Sequence, residues 1–203
     1  HLIRCPRLPV LVPAWFPSGF GEFLEECGFE LRILPPGTFR VQRLWLPSMA
    51  DPDWDHSKVC LIQNFINEHF RTPNFKLGQA KLKRIYISRR WAGRRHLVNE
   101  DKLLPVLATH GFRSILLEQK SIQEQIAFFR QVTHVVAPHG AGLVNTLFSH
   151  TKTRILEIRP VIYSGNYCFE SLFACGWRSH EVLVPRKKGC FEMAPGMLNR
   201  ILN

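Results

Sequence analysis

The sequence predicts an α/β fold built on a parallel sheet with helices over both faces. Two observations predict it. From residue 84 onward, strand-length apolar runs alternate with helical stretches of ten or so residues, the length a crossover between parallel strands requires. Start and stop signals also fall where that alternation needs them: Asn99 ahead of one helix and Gly111 just past its end, then Ser121 with Glu124 three residues on as a capping box.

In chain order, "LPVLVPAWF" reads as a strand and "SGFGEFLEECGF" as a helix ending before Gly28. "FELRILPPG" and "FRVQRLWLPS" read as two further strands. Residues 1–50 are thus expected to be part of an N-terminal α/β lobe. After the turn-rich "MADPDWDHSK", the run "VCLIQNFINEHFR" has helical spacing, and residues 51–80 are expected to be a linker helix and loop. Residues 81–190 follow as a Rossmann-like lobe: strand "RIYIS", helix "NEDKLLPVLATHG", strand "FRSILLE", helix "SIQEQIAFFRQ", strand "THVVAP", helix "GAGLVNTLFS", strand "TRILEIRP", helix "YCFESLFACG" and strand "RSHEVLVP". Residues 191–203 are left as a tail or helix.

Composition narrows the function classes. With 203 residues, 45% of them hydrophobic, the chain can bury one large core or two small ones. No window approaches the roughly 18 consecutive apolar residues of a membrane span, and "HLIRCPRLPV" lacks the order of a signal peptide. The six cysteines form no C-x-x-C pair, so no zinc site is expected and the thiols are read as reduced fillers. Twenty-seven Lys and Arg against 16 Asp and Glu give a net charge of +11, which favours an anionic partner without choosing among nucleic acid, acidic membrane and phosphorylated substrate. Seven of the cations cluster in "KLKRIYISRRWAGRRH", residues 81–96, where a solvated basic face is the plainest alternative.

In an open parallel sheet, ligands bind beyond the carboxyl ends of the strands, at helix N-termini. Arg89 and Arg90 follow the first of these strands, Glu118 the second, "HGAGL" the third, and Glu157 with Arg159 the fourth. Gly140 and Gly142 let backbone amides approach a ligand, and a helix start favours an anion. The same turn suits tight packing of helix on strand, with His139 a satisfied buried histidine. At least one of Arg89 and Arg90 is expected to point into the crevice, where a guanidinium fork matches phosphate oxygens. Glu157 stands where an acid can accept from a ribose, with a solvated or salt-bridged carboxylate the alternative. Neither a P-loop nor G-x-G-x-x-G is present, against an ATPase or an ordinary dinucleotide enzyme.

"YISRR", Arg95 four before "NEDKL", "HGF" ahead of a strand ending in Glu118, "SIQEQIAFFRQVTHVVAPHGAGLVNTLF" and "RILEIRP" together resemble glycosyltransferase family 61, closely over residues 84–160 and loosely over 9–48. The resemblance implies a GT-B-like architecture, an inverting transfer from a UDP-sugar to a hydroxyl of a glycan or glycoprotein, and polysaccharide-type biosynthesis. No metal or other cofactor and no nucleic acid partner are expected. It implies donor binding by Arg89, Arg90, Arg95, His139, Gly140, Ala141, Gly142, Leu143, Asn145 and Glu157. Arg90 and His139 are expected nearest the chemistry, and Glu118 and Gln125 match motif positions of structural role. Val144 stands where members often have Thr, and "SHTKTR" replaces the usual Pro- and Gly-containing loop. The family's upstream aromatic–His motif has no match here, so no residue is assigned as acceptor-activating base. The alternative is an inactive member or a non-enzymatic module that binds nucleic acid or an anionic polymer; a nucleotide-sugar epimerase-like enzyme is a third reading, since fold alone does not decide activity. The expected compartment is the cytoplasm for a bacterial protein and the Golgi or endoplasmic reticulum lumen for a eukaryotic one.

Overall fold

A computed structural model describes residues 8–44, 56–70, 83–150, 152–161 and 177–203. The chain divides into two compact units, His1–Pro52 with Ser121–Gln123, and Asp53–Lys120 with Glu124–Asn203.

In the first unit, β1 (Val10–Pro13) pairs in parallel with β2 (Leu31–Leu34), and α1 (Ser18–Glu26) is the crossover between them. Gly28 ends α1 at φ 84°: its amide reaches the Glu25 carbonyl at 2.9 Å and the Phe29 amide reaches Leu24 at 3.0 Å, a Schellman closure that needs the left-handed backbone. The strand expected in "FRVQRLWLPS" does not form over its described part, residues 39–44, where Phe39, Val41 and Leu44 are exposed. Its apolar residues fall on both parities, Val41 on one and Leu44 on the other, so the alternation defines no single face to bury. The remainder lies outside the described residues.

The second unit opens with α2 (His56–His69) and is built on a five-stranded sheet: β3 (Arg84–Ile87), β4 (Arg113–Ile115), β5 (His134–Pro138), β6 (Arg154–Pro160) and β7 (Arg178–Val184). All neighbours pair in parallel, in the order β4-β3-β5-β6-β7. By position within the sheet this is 2-1-3-4-5, a doubly wound arrangement whose direction of winding reverses between β3 and β5. The faces follow from strand alternation. Ile85, Ile87, Val135, Ala137 and Ile155 meet α2, α4 (Ile122–Phe129) and the 3-10 helix Ala141–Phe148, through Val59, Phe128, Phe129, Leu143 and Leu147. Tyr86, Val136, Leu156, Ile158 and Val182 meet α3 (Glu100–Thr109) and α5 (Pro195–Leu202), through Leu103, Leu107 and Leu198. A small antiparallel hairpin, β8 (Arg186–Lys187) and β9 (Cys190–Phe191), precedes α5.

Four local readings change. The stretch taken as a linker contains α2, which packs as a layer of this unit: Val59 is core, Gln63 Nε2 donates to the Leu147 carbonyl at 3.2 Å, and Arg130 reaches the Phe70 carbonyl at the helix end at 2.6 Å. Asn99 precedes α3 without capping it; its side chain instead donates to the Met193 carbonyl at 2.7 Å and accepts the Met193 amide at 3.3 Å. The helix after β5 winds as 3-10, and the hydroxyls of Thr146 and Ser149 reach back three residues to the Leu143 and Thr146 carbonyls at 2.7 Å each. β4 stops at Ile115, so Glu118 lies in the 3-10 turn Leu117–Gln119 that follows. The helix expected in "YCFESLFACG" lies outside the described residues.

Gly142 is a packing residue. A Cβ there would stand 3.1 Å from Leu117 Cδ1 and 3.2 Å from Ile87 Cγ2, both fixed in the core. Gly142→Ala is therefore expected to cost about 1–3 kcal/mol in urea unfolding, whereas Gly196→Ala, facing open space on α5, should not lower stability.

Candidate functional site

The reversal of winding places the switch point beyond the carboxyl ends of β3 and β5. What leaves β3 there is sorted by parity. Ser88 and Arg90 continue the side of Tyr86, toward α3, and Arg89 takes the other. The outcome is two separate structures from three consecutive residues.

On the α3 side is a buried carboxylate. Glu100 is 4% exposed and accepts from Tyr86 Oη at 3.1 Å, Ser88 Oγ at 2.6 Å and Arg90 Nε at 3.2 Å. Arg90 also reaches Asp101 through Nη2 at 3.0 Å. The hydrogen bond to Glu100 raises the Arg90 pKa, and burial followed by the Glu100 charge pushes Tyr86 up. Arg90, expected nearest the chemistry, is thus engaged with the first turn of α3, where the helix dipole also favours Glu100 and Asp101.

On the other side, Arg89 lies against Gly140. A Cβ on Gly140 would come within 2.7 Å of Arg89 Cζ and 3.0 Å of its Nε. With φ at 164° the Gly140 backbone is extended, so glycine is needed there for room, not for conformation. Arg89 Nε donates to the Arg95 carbonyl at 3.1 Å. Burial, then the charges of Arg95 and Arg94, lower its pKa against an opposing effect of Glu118, yet a guanidinium stays charged.

Arg95 has a left-handed backbone at φ 60°, and its Nε is buried with no hydrogen-bond partner among the described residues. The loop that carries it is braced by the hairpin. Lys188 and Gly189 turn at φ 45° and 81°, the Arg95 amide donates to the Gly189 carbonyl at 3.2 Å, and Phe191 bonds on both sides, its amide to His96 at 3.2 Å and its carbonyl to Val98 at 3.0 Å. His96 Nδ1 lies 2.9 Å from the Ala92 carbonyl and 3.4 Å from Cys190 Sγ.

Beyond β5, His139 is 4% exposed and its Nδ1 lies 2.5 Å from Glu157 Oε1, with Glu157 itself buried on β6. The carboxylate expected at a ribose is therefore occupied by the histidine. The Leu143 amide donates to the Gly140 carbonyl at 3.0 Å, leaving the amides of Ala141 and Gly142 as first-turn donors. Leu143 itself is 1% exposed and belongs to the core. Asn145 Nδ2 donates to Gln125 Oε1 at 2.6 Å, and Gln125 Nε2 in turn holds the Leu117 and Lys120 carbonyls at 3.1 and 3.0 Å. Asn145 is thus a strut between the 3-10 helix and α4.

The residues brought together at the switch point are Arg89, Arg95, Gly140 and the Ala141 and Gly142 amides, with the His139–Glu157 pair behind them. Arg90, Leu143 and Asn145 turn elsewhere. Among the described residues, no three His, Cys, Asp or Glu side chains gather as a metal site. The buried Tyr86–Ser88–Glu100 network is the feature that sequence reasoning missed; the one signal for it was the acidic pair opening α3.

Glu100→Ala is expected to cost about 3 kcal/mol in chemical denaturation, because Tyr86 and Arg90 both lose their acceptor. Arg90→Ala should cost less, since Tyr86 and Ser88 still hold the carboxylate. The family model Glycosyltransferase 61 matches residues 3–156, spanning all the residues described at the switch point except the tip of β6 and the bracing hairpin. A relative is the Drosophila melanogaster EGF domain-specific O-linked N-acetylglucosamine transferase, 26% identical over 132 residues. That alignment takes in 62% of this chain, which spans about a quarter (25%) of the relative's length. With the match covering most of its residues, the chain belongs to glycosyltransferase family 61.

Proposed function

We propose that this glycosyltransferase takes its sugar from a UDP-sugar and transfers it with inversion to a hydroxyl of a glycan or protein, in a GT-B-like pairing of two α/β units. One observation carries the donor assignment: at the switch point of the parallel sheet, a half-buried arginine lies against a glycine whose missing side chain makes room for it, beside first-turn amides. A diphosphate needs that combination of fixed cation and backbone donors.

In this reading the acceptor oxygen attacks the anomeric carbon in line, the bond to the diphosphate oxygen breaks, and UDP leaves with the bonding pair. Negative charge grows on the diphosphate as it departs. Arg89 and the amides of Ala141 and Gly142 stabilise that charge, and do so more in the transition state than in the ground state. Arg95 holds Arg89 through its carbonyl and adds a second cation, with a buried Nε for which a phosphate oxygen is the fitting acceptor. Arg90 acts one step back, fixing the strand end from which Arg89 springs. The His139–Glu157 pair fixes the chain just before Gly140. Because arginines neutralise the diphosphate, the reading assigns no step to a metal. The relative's name makes N-acetylglucosamine the first sugar to test and a protein hydroxyl the first acceptor.

Gly140→Ala separates site from fold, because the atoms it meets are the far end of one flexible side chain. Its unfolding midpoint is expected to stay near wild type while UDP affinity, read by calorimetry, falls about tenfold or more as Arg89 is displaced. Arg89→Ala should fall as far, and EDTA should leave UDP affinity unchanged. Unaltered UDP affinity in both variants would remove the site. If the chain is instead a module for an anionic polymer, it will ignore UDP and bind with a steep salt dependence.

A further inference from the structure

The opposite end of the sheet carries a feature that the donor site does not use. Arg84, His134, Arg154 and Arg178 are register partners across β3, β5, β6 and β7, each at the amino end of its strand. They share the face of Tyr86, Val136, Leu156 and Val182. With strands about 4.8 Å apart, the four basic side chains span roughly 14 Å.

They border a cavity of about 830 Å³, with Phe112, Val136 and Leu156 on its apolar side and the last residues of α5 along another. The volume suits a small ligand. His180 adds a fifth basic group to the lining. Glu181, the acidic residue there, has its carboxylate on Arg159 at 2.7 Å. Among the described residues, none of Arg84, Arg154 and Arg178 forms an ion pair.

Like charges directly opposite one another across a sheet repel. Burial, then Arg84 and Arg154, hold the His134 pKa below its usual value. Arg84 is nonetheless fixed in place: its Nη1 donates to the His110 carbonyl at 2.9 Å and its guanidinium carbon stands 5.9 Å over the Phe112 ring. One held and two exposed arginines, none of them ion-paired among the described residues, thus border the cavity, and a bound anion would relieve their mutual repulsion.

We infer that this cavity at the amino end of the sheet is a second, oxyanion-binding site, for a ligand bearing at least two negative charges on phosphate or sulfate oxygens. It is separate from the switch point, which lies at the carboxyl ends of the same strands. Arg154 and Arg178 supply forks from two adjacent strands, and Arg84 a third from the far side of His134.

Inorganic pyrophosphate is the probe, titrated calorimetrically into Arg89→Ala protein so that the switch point contributes about tenfold less. Saturable binding is expected to persist there and to weaken about tenfold or more when Arg154→Gln and Arg178→Gln are added. A second readout needs no substitution at the cavity: the NMR titration midpoint of His134 should rise on adding pyrophosphate, since a bound anion favours the imidazolium. Parallel titrations with a sugar monophosphate and a sulfated oligosaccharide distinguish a small ester from a polymer as the source, and preference for either supports the site. Pyrophosphate binding that vanishes with Arg89→Ala, or is untouched by the added pair while the His134 midpoint stays put, overturns it.

Discussion

The contact between Arg89 and the bare Cα of Gly140 is the point on which the candidate site depends. Parallel strands require crossovers, and a sheet wound in both directions must leave a place where neighbouring crossovers part. Here it lies between β3 and β5, and the chain does not fill it with apolar side chains. It holds a guanidinium there, and charge is costly to bury without compensation. Compensation comes from the Arg95 carbonyl and the field of Glu118, while Arg94 and Arg95 act against it. A cation held by one neutral acceptor and surrounded by other cations is only partly satisfied, which is the condition of a group awaiting an anion.

Around that contact the structure is braced from several sides. Ser88, Arg90 and Tyr86 all converge on Glu100, so the strand end is tied to α3. Asn145 and Gln125 tie the 3-10 helix to α4, and the hairpin at Lys188 and Gly189 supports the left-handed turn at Arg95. A left-handed arginine is uncommon and costs backbone energy, so it persists only where neighbouring bonds over-determine it. Precision in the position of Arg89 thus rests on residues up to a hundred positions away in sequence.

That distance is why the sequence was legible in one respect and not in another. Strands β3, β5, β6 and β7 and helices α1, α2 and α3 could be read because each is announced by its own local pattern. So could the crowding of cations and glycines at the strand ends. The fate of Arg90 could not be, although parity held the clue: Arg90 shares a side with Tyr86, and only Glu100, brought back by α3, gives that side its meaning. For Glu157 the choice between ribose acceptor and salt-bridged carboxylate could not be made, since its partner His139 follows the adjacent strand and the register that aligns Ala137 with Glu157 is a tertiary fact. The turn glycines also divide differently than their spacing suggests, Gly140 making room for a side chain and Gly142 for the core.

The net charge of +11 takes on structure when the cations are sorted by what they touch. Arg32, Arg90, Arg159 and Lys187 meet carboxylates and are accounted for within the fold. Others are spread over the surface, and two groups stand at the ends of one sheet, Arg89 and Arg95 beyond the carboxyl ends and Arg84, Arg154 and Arg178 at the amino ends. Strand dipoles largely cancel, so the sheet itself does not call for cations at either end. Helix N-termini explain anion affinity at the carboxyl end only, because in a wound parallel sheet each crossover helix begins there. At the amino end the same geometry presents helix C-termini, which attract cations and can hold them without any external anion. Arg84 does use the carbonyl of His110 at the end of α3 in this way, but among the described residues Arg154 and Arg178 form no bond of that kind. The fold therefore fixes Arg84 and leaves Arg154 and Arg178 exposed at that end, where the second anion site inferred above would engage them.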